Sequence, residues 1–302
     1  MEGPPIEGDR QPLRSSNRVF RDFTGDPMAL KVTVTSTKGG VGKTTLTANL
    51  GGLLADLGQK VLLVDVDVQP TLSSYYPLEL RADHGLSSLI TEGLVDGIVS
   101  RTAIVQLDLI LSDDPEGMLQ NWILHTPDGR VRLKHILTRL DAAYDFILLD
   151  TQGAVGPLQD SAILSADLLV SPIPPEILSA REFARGTVQM LDRLRPMAFL
   201  GAPLGPLRGL IYRMDRTVDA RRIAQELCRE AYGPSKGAIT ILDTVIPNTV
   251  AYREAATARV PVHRWEPVRQ GPTPSAREAM LALVFELFPH LADKTLEWGG
   301  AQ

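Results

Sequence analysis

Nine residues, Thr37-Lys38-Gly39-Gly40-Val41-Gly42-Lys43-Thr44-Thr45, constrain this chain more than any other stretch. They follow an apolar run over 31–36 and precede Leu46, Leu50, Leu53, Leu54 and Leu57, which recur at helical spacing. Strand, glycine-rich turn and helix in that order form an anion cradle. The glycines allow a tight turn with N–H groups pointing inward, and the helix start adds its positive dipole end. In such a loop Lys43 reaches the β- and γ-phosphates of a nucleotide, Thr44 offers a hydroxyl to Mg²⁺, and Thr45 can bond the α-phosphate. A chance glycine turn would need neither both lysines nor the Thr pair in register with a helix start. Thr37 stands where the ordinary pattern has its first glycine, and Lys38 adds a second lysine inside the loop.

Further apolar runs rich in Val, Ile and Leu predict strands over 61–66, 146–150, 167–173, 209–212 and 241–246. Helical patterns fall over 177–194, 219–231 and 275–291. Strand–helix alternation with short links predicts an α/β fold, a doubly wound, mostly parallel sheet with helices on both faces. Residues 28–302 are expected to form one such domain. Residues 1–27 are rich in Pro, Gly and charge and lack the apolar core of a signal peptide. They are expected to be a mobile extension, either an upstream-extended start or a short partner-binding arm around Val19, Phe20 and Phe23. No apolar run approaches the roughly 18 residues of a membrane span. The one cysteine, Cys228, makes no internal disulfide and supplies no multi-cysteine cluster. It falls in a helical stretch and is expected to be buried or half-buried.

Three carboxylates stand at strand ends. In Val64-Asp65-Val66-Asp67, period two puts Asp65 and Asp67 on one side, at the carboxyl edge where such sheets bind ligands. Paired carboxylates there suit water positioning and metal contact, although Asp residues also cap strands without further role. Asp150 ends the apolar run Phe146-Ile147-Leu148-Leu149.

The segment Lys38-Gly39-Gly40-Val41-Gly42-Lys43-Thr44 resembles the deviant Walker A motif of the ParA/MinD ATPases. That resemblance implies a P-loop ATPase using ATP and Mg²⁺, with Lys38 and Lys43 at the phosphates beside Gly39, Gly40, Val41, Gly42, Thr44 and Thr45. It implies that Lys38 crosses a nucleotide-sandwich homodimer to touch the partner's phosphates. It implies that Asp67 positions the attacking water, that Asp65 supports the Mg²⁺ shell, and that Asp150 holds Mg²⁺ through water. Val68 replaces the proline of the family's D-x-D-P-Q, and Thr151-Gln152-Gly153 departs from its D-x-P-P. The resemblance continues through Gly85–Leu89 and Pro172–Glu176. It reaches Val245-Ile246-Pro247-Asn248, followed by Arg253-Glu254-Ala255, similar to a segment enclosing adenine, which makes Pro247 and Asn248 pocket candidates.

Charge separates the branches of that family. The formal net charge of -5 is an average. Residues 177–277 carry 16 basic and 9 acidic side chains, and 15 of the 16 are Arg. Candidates for duplex backbone contact are Arg181, Arg185, Arg216, Arg221, Arg222, Arg253, Arg259 and Arg264. The bland alternative is an Arg-rich chain with solvated helix faces. Cys228 alone excludes a cluster-bearing branch, and a C-terminus without a basic cluster argues against a membrane-helix branch. The expectation is therefore a cytoplasmic, nucleoid-associated ParA-like ATPase. Its ATP-closed dimer binds double-stranded DNA non-specifically and is released by hydrolysis that a ParB-like partner stimulates. It would partition a plasmid, chromosome or integrative element. A positioning ATPase for non-DNA cargo and a weakly hydrolysing regulatory module are the alternatives.

Overall fold

The computed structural model describes residues 28–176, 180, 183–232 and 239–296. The expectation for 1–27 lies outside the described residues. Among the described residues, nine strands form one sheet in the order β3-β4-β5-β2-β6-β1-β7-β8-β9. They span Leu30–Val34 (β1), Val61–Val66 (β2), Leu78–Leu80 (β3), Val99–Thr102 (β4) and Leu107–Ile110 (β5), then Phe146–Thr151 (β6), Leu168–Ile173 (β7), Leu207–Met214 (β8) and Ile239–Pro247 (β9). All neighbouring pairs are parallel except β3–β4 and β4–β5.

The central strands are buried on both faces, which is why they read as unbroken apolar runs. In β2, Val61 and Leu63 join one core with helix α1 (Lys43–Asp56) and the helices Ala251–Ala258 and Ala276–Leu287. Leu62, Val64 and Val66 point the other way. That second core takes in α2 (Leu86–Glu92), α3 (Met118–His125), α4 (Gly129–Leu137) and α5 (Pro157–Ser165). A third cluster packs β7 and β8 against the helices Val188–Leu194 and Val218–Tyr232. Helix Ala276–Leu287 opens with a capping box from Ser275 and Glu278 and buries Met280, Leu283 and Val284, so the apolar C-terminal stretch is core.

Three expectations change. The strands β3–β5, joined to one another by the two antiparallel pairings, carry only three or four residues each, with Glu79, Arg101 and Asp108 among them. Such runs are too short for periodicity to declare them. The helix expected over 177–194 is interrupted among the described residues by a wide, π-type turn over Phe183–Thr187. Cys228 is exposed, because it falls on the outer face of the helix Val218–Tyr232 while Ile223, Ala224 and Leu227 face the core. No helix among the described residues is long and apolar enough to cross a membrane.

The C-terminal end of α1 is tied down by Asp56. Its carboxylate meets His263 Nε2 at 2.6 Å and Arg264 Nε at 2.7 Å and NH2 at 2.5 Å. Burial works against the Asp56 charge, yet the bonds from Arg264 and His263 outweigh it and hold the carboxyl below its ordinary value. Burial also holds His263 below its ordinary value, against the pull of Asp56. Both depressed groups resist protonation in the folded state. The contribution of these two groups to stability is therefore full above about pH 6.5 and falls as the pH drops, first through His263 and below about pH 4 through Asp56. Replacing Asp56 by alanine removes the carboxylate that both the buried His263 and Arg264, only 19% exposed, are bonded to. The expected loss is about 3 kcal/mol in denaturant unfolding. An unchanged unfolding midpoint would contradict this assignment.

Candidate functional site

The loop Thr37–Gly42 leaves the carboxyl end of β1, between β6 and β7, and feeds directly into α1 at Lys43. Gly42 has φ +98°, and a Cβ there would lie 2.5 Å from the Tyr212 ring, so only glycine fits both the turn and the close ring. Gly39 and Gly40 face open space where a Cβ would meet nothing within 4 Å. Gly153, after β6, crosses the loop so closely that a Cβ would lie 2.6 Å from Gly39 Cα.

Beneath the loop stand the carboxylates. Asp65 and Asp150 are register partners on β2 and β6, and both are fully buried. Asp65 accepts 2.7 Å bonds from Ser73 N and Ser73 Oγ. Asp150 Oδ1 lies 3.4 Å from Thr47 Oγ1, while Oδ2 has no partner among the described residues. Burial, and next the Asp65 charge, push Asp150 up to about 8, with the Thr44 hydroxyl and Lys43 pulling the other way. Burial pushes Asp65 up to about 7, against its bonds from Ser73. Lys43 is buried too, and desolvation lowers its pKa although Asp150 and Asp67 favour its charge.

Two buried carboxylates with raised pKa values, one with an orphaned oxygen, have among the described residues only the buried Lys43 as a nearby cation. A divalent cation would fit there, with the Thr44 hydroxyl beside Asp150 to share it. No cluster of three or more His, Cys, Asp or Glu that could hold a metal occurs among the described residues. That donor set suits Mg²⁺ better than an all-protein cage, because Mg²⁺ keeps waters and takes phosphate oxygens. Asp67 sits half-buried at the strand end, where its Oδ1 accepts from Gln69 N at 3.0 Å.

A cleft of about 490 Å³ opens beside the loop. Lys38, Gly39, Gly40, Val41 and Thr45 form one wall. Tyr212, Arg213 and Asp215 from the end of β8 line it with Asn248, Tyr252 and Arg253. Asn248 Nδ2 donates to Asp215 Oδ1 at 2.8 Å. Pro247 ends β9 opposite Met214 and is not among the lining residues. Lys38 is 39% exposed at the mouth, with Nζ 3.4 Å from Glu176 Oε2. A second cleft of about 470 Å³, against Lys60 and Tyr144, lies at the amino ends of the strands and contains none of the residues singled out in the sequence.

The arginine candidates divide. Arg181 lies outside the described residues. Arg264 is corrected to a structural role, since its fork is spent on Asp56. So is Arg259, which has φ +59° and donates to the Ser74 and Tyr76 carbonyls at 3.0 and 2.9 Å. Arg222 pairs with Asp219 at 2.9 Å on an exposed helix face. Arg185, Arg216 and Arg221 are exposed, and Arg253 is exposed at the cleft. Motif reading missed Arg213, Tyr212, Gly153 and Ser73, which come from segments without a phosphate-binding signature.

Comparison with known proteins agrees with this fold. A family model described as an AAA domain matches residues 29–196. The chain is 31% identical over 242 residues to the chromosome-partitioning ATPase Soj of Thermus thermophilus, covering 80% of this chain and 90% of that one. It is similar in fold to an ATP complex of a McdA variant from Cyanothece, with TM-score 0.71 and 21% identity over 87% of this chain and 97% of that one. It is also similar to septum site-determining protein MinD from Pyrococcus horikoshii with Mg-ADP, with TM-score 0.66 and 24% identity over 88% and 98%. The chain belongs to the ParA/MinD family of P-loop ATPases.

Proposed function

We propose that this protein is an ATP-driven partition switch. Two copies close face to face around two Mg-ATP molecules, and the dimer binds duplex DNA without reading its sequence. Hydrolysis, accelerated by a ParB-like partner, releases it. The observation that carries this reading is the convergence of Lys38, Lys43, Thr44, Asp65 and Asp150 around one loop that borders a cleft. The naming of similar proteins for chromosome partitioning, and of complexes with ATP or Mg-ADP, supports it.

In this account Lys43 and the loop N–H groups bind the phosphates. Thr44, Asp65 and Asp150 are the residues that would hold Mg²⁺, which would supply positive charge against the phosphates. Asp67 orients the attacking water, and Asn248 helps enclose the base. Lys38 exchanges its Glu176 contact for the partner's phosphates.

Arg185, Arg216, Arg221, Arg222 and Arg253 remain the DNA candidates, and the association is electrostatic. Co-sedimentation with long duplex DNA and Mg-ATP tests this. Binding is expected at about 50 mM salt and a loss of order 10³-fold by about 200 mM. No binding at the lower salt would contradict the DNA reading and favour a non-DNA cargo.

One observation favours a second reading, a nucleotide-holding regulatory module with weak hydrolysis. Gln152, where the family carries proline, exchanges side-chain amide bonds of 3.3 and 3.4 Å with Gln120 of α3. That pairing ties down the segment following the Asp150 strand. Turnover measured with and without DNA and partner separates the two readings.

A further inference from the structure

Arg213 stands out for three reasons that meet at one point. Its φ is +60°, one of three positive values among the described non-glycine residues. It occupies a register shift between β8 and β9, where Tyr212 pairs Ile246 but Met214 pairs Pro247. Its side chain reaches across the cleft, and Nη1 donates to the Gly40 carbonyl of the phosphate loop at 3.0 Å. A bulge re-aims a side chain, and a strained backbone persists only where its surroundings hold it. Here both deliver a guanidinium to the phosphate loop. The Arg213 guanidinium also lies 5.9 Å from the centroid of the Tyr212 ring, the ring that closes over Gly42.

The chemistry of the contact is specific. A carbonyl oxygen turned into an anion site repels phosphate, whereas an N–H attracts it. The Gly40–Val41 peptide is planar and trans, so its C=O and N–H point in opposite directions. Holding the Gly40 oxygen on the Arg213 side turns the Val41 N–H away from Arg213. Gly40 itself has φ +72° and no side chain to restrain it, so the peptide needs an outside anchor to keep one orientation.

We propose that Arg213 is a positioning residue for nucleotide binding. It clamps the Gly40 carbonyl, so that the Gly40–Val41 peptide keeps one orientation and its oxygen is bonded to the guanidinium instead of left bare in the phosphate loop. The local strain at Arg213 is the cost of placing the clamp. This inference rests on the cleft being the ATP site, and it adds a residue outside the loop motif and the three carboxylates.

Titration calorimetry of the full chain with Mg-ADP and Mg-ATP, alongside thermal melting without nucleotide, tests it. Arg213→Gly removes the clamp and relieves the backbone. Its dissociation constants for both nucleotides are expected to rise on the order of tenfold. Its melting midpoint without nucleotide is expected to rise by about 2 °C. Arg213→Lys keeps the cation and the strain, so it should recover part of the affinity with no gain in melting temperature. Affinity and stability moving in opposite directions is a result that a purely structural role does not produce. An Arg213→Gly protein that binds both nucleotides as tightly as the native chain would overturn the inference alone. So would one that loses affinity and melts lower. A native chain that binds neither nucleotide would overturn the ATP site itself, and the inference with it.

Discussion

Replacing Lys38 by alanine is expected to leave a protein that binds Mg-ATP and stays monomeric. Lys43, the loop N–H groups and the buried carboxylates all remain, so nucleotide affinity changes little. The dimer is not expected to survive, because the proposed two-fold interface uses Lys38 twice. Each lysine lost from a desolvated phosphate contact costs about 2–5 kcal/mol. Doubled, that weakens association by at least about 10³-fold. In the single chain Lys38 is 39% exposed and lies 3.4 Å from Glu176. That contact is a surface pair worth less than about 1 kcal/mol, so its exchange for a phosphate is favourable. Sedimentation velocity with Mg-ATP reads the outcome. A Lys38→Ala protein that still dimerises with ATP would refute the role given to Lys38.

Asp67→Ala carries the second large effect. Asp67 stands at the end of β2, two residues beyond Asp65, and its own N–H donates to Asp65 Oδ1 at 3.3 Å. Unlike Asp65 it is only half-buried, so it can meet a water. Removing the group that is proposed to orient the attacking water is expected to slow turnover by about 10²–10⁴-fold. Nucleotide binding persists, and ATP stays in the site. A steady-state phosphate-release assay with partner and DNA present reads this directly. Turnover within a factor of about three of the native value would move the role to another group, and Gln152 would be the next to test.

Much of this site is legible in the sequence alone, for a physical reason. A phosphate loop is local: the turn glycines, the two lysines and the helix start are contiguous, so strand, turn and helix propensities all speak within about 15 residues. Asp65, Asp67 and Asp150 are legible for a related reason, since they stand near or just past the ends of two apolar strands buried along their length. What escapes is whatever depends on register. Arg213 reaches Gly40 only because β8 bulges against β9. Gly153 presses on Gly39 across 114 positions of sequence, and nothing in Thr151-Gln152-Gly153 announces it. Ser73 meets Asp65 from a short turn after β2.

Charge counting has its own limit. It finds the arginine surplus in 177–277 but not where each guanidinium goes. Arg264 turns inward to Asp56, and Arg193 forks onto buried Asp160 at 2.8 and 2.6 Å. The exposed basic surface is smaller than the surplus implies. A buried carboxylate is the only sequence sign of such a partner, and burial itself is a tertiary property.

The central claim is that ATP, and not ADP, closes the dimer. The direct measurement is the solution mass of the Asp67→Ala protein, which holds ATP long enough to be weighed, by light scattering with each nucleotide and Mg²⁺. Twice the 32.9 kDa chain mass is expected with Mg-ATP and a single chain mass with Mg-ADP. The same mass in both nucleotides would contradict the claim.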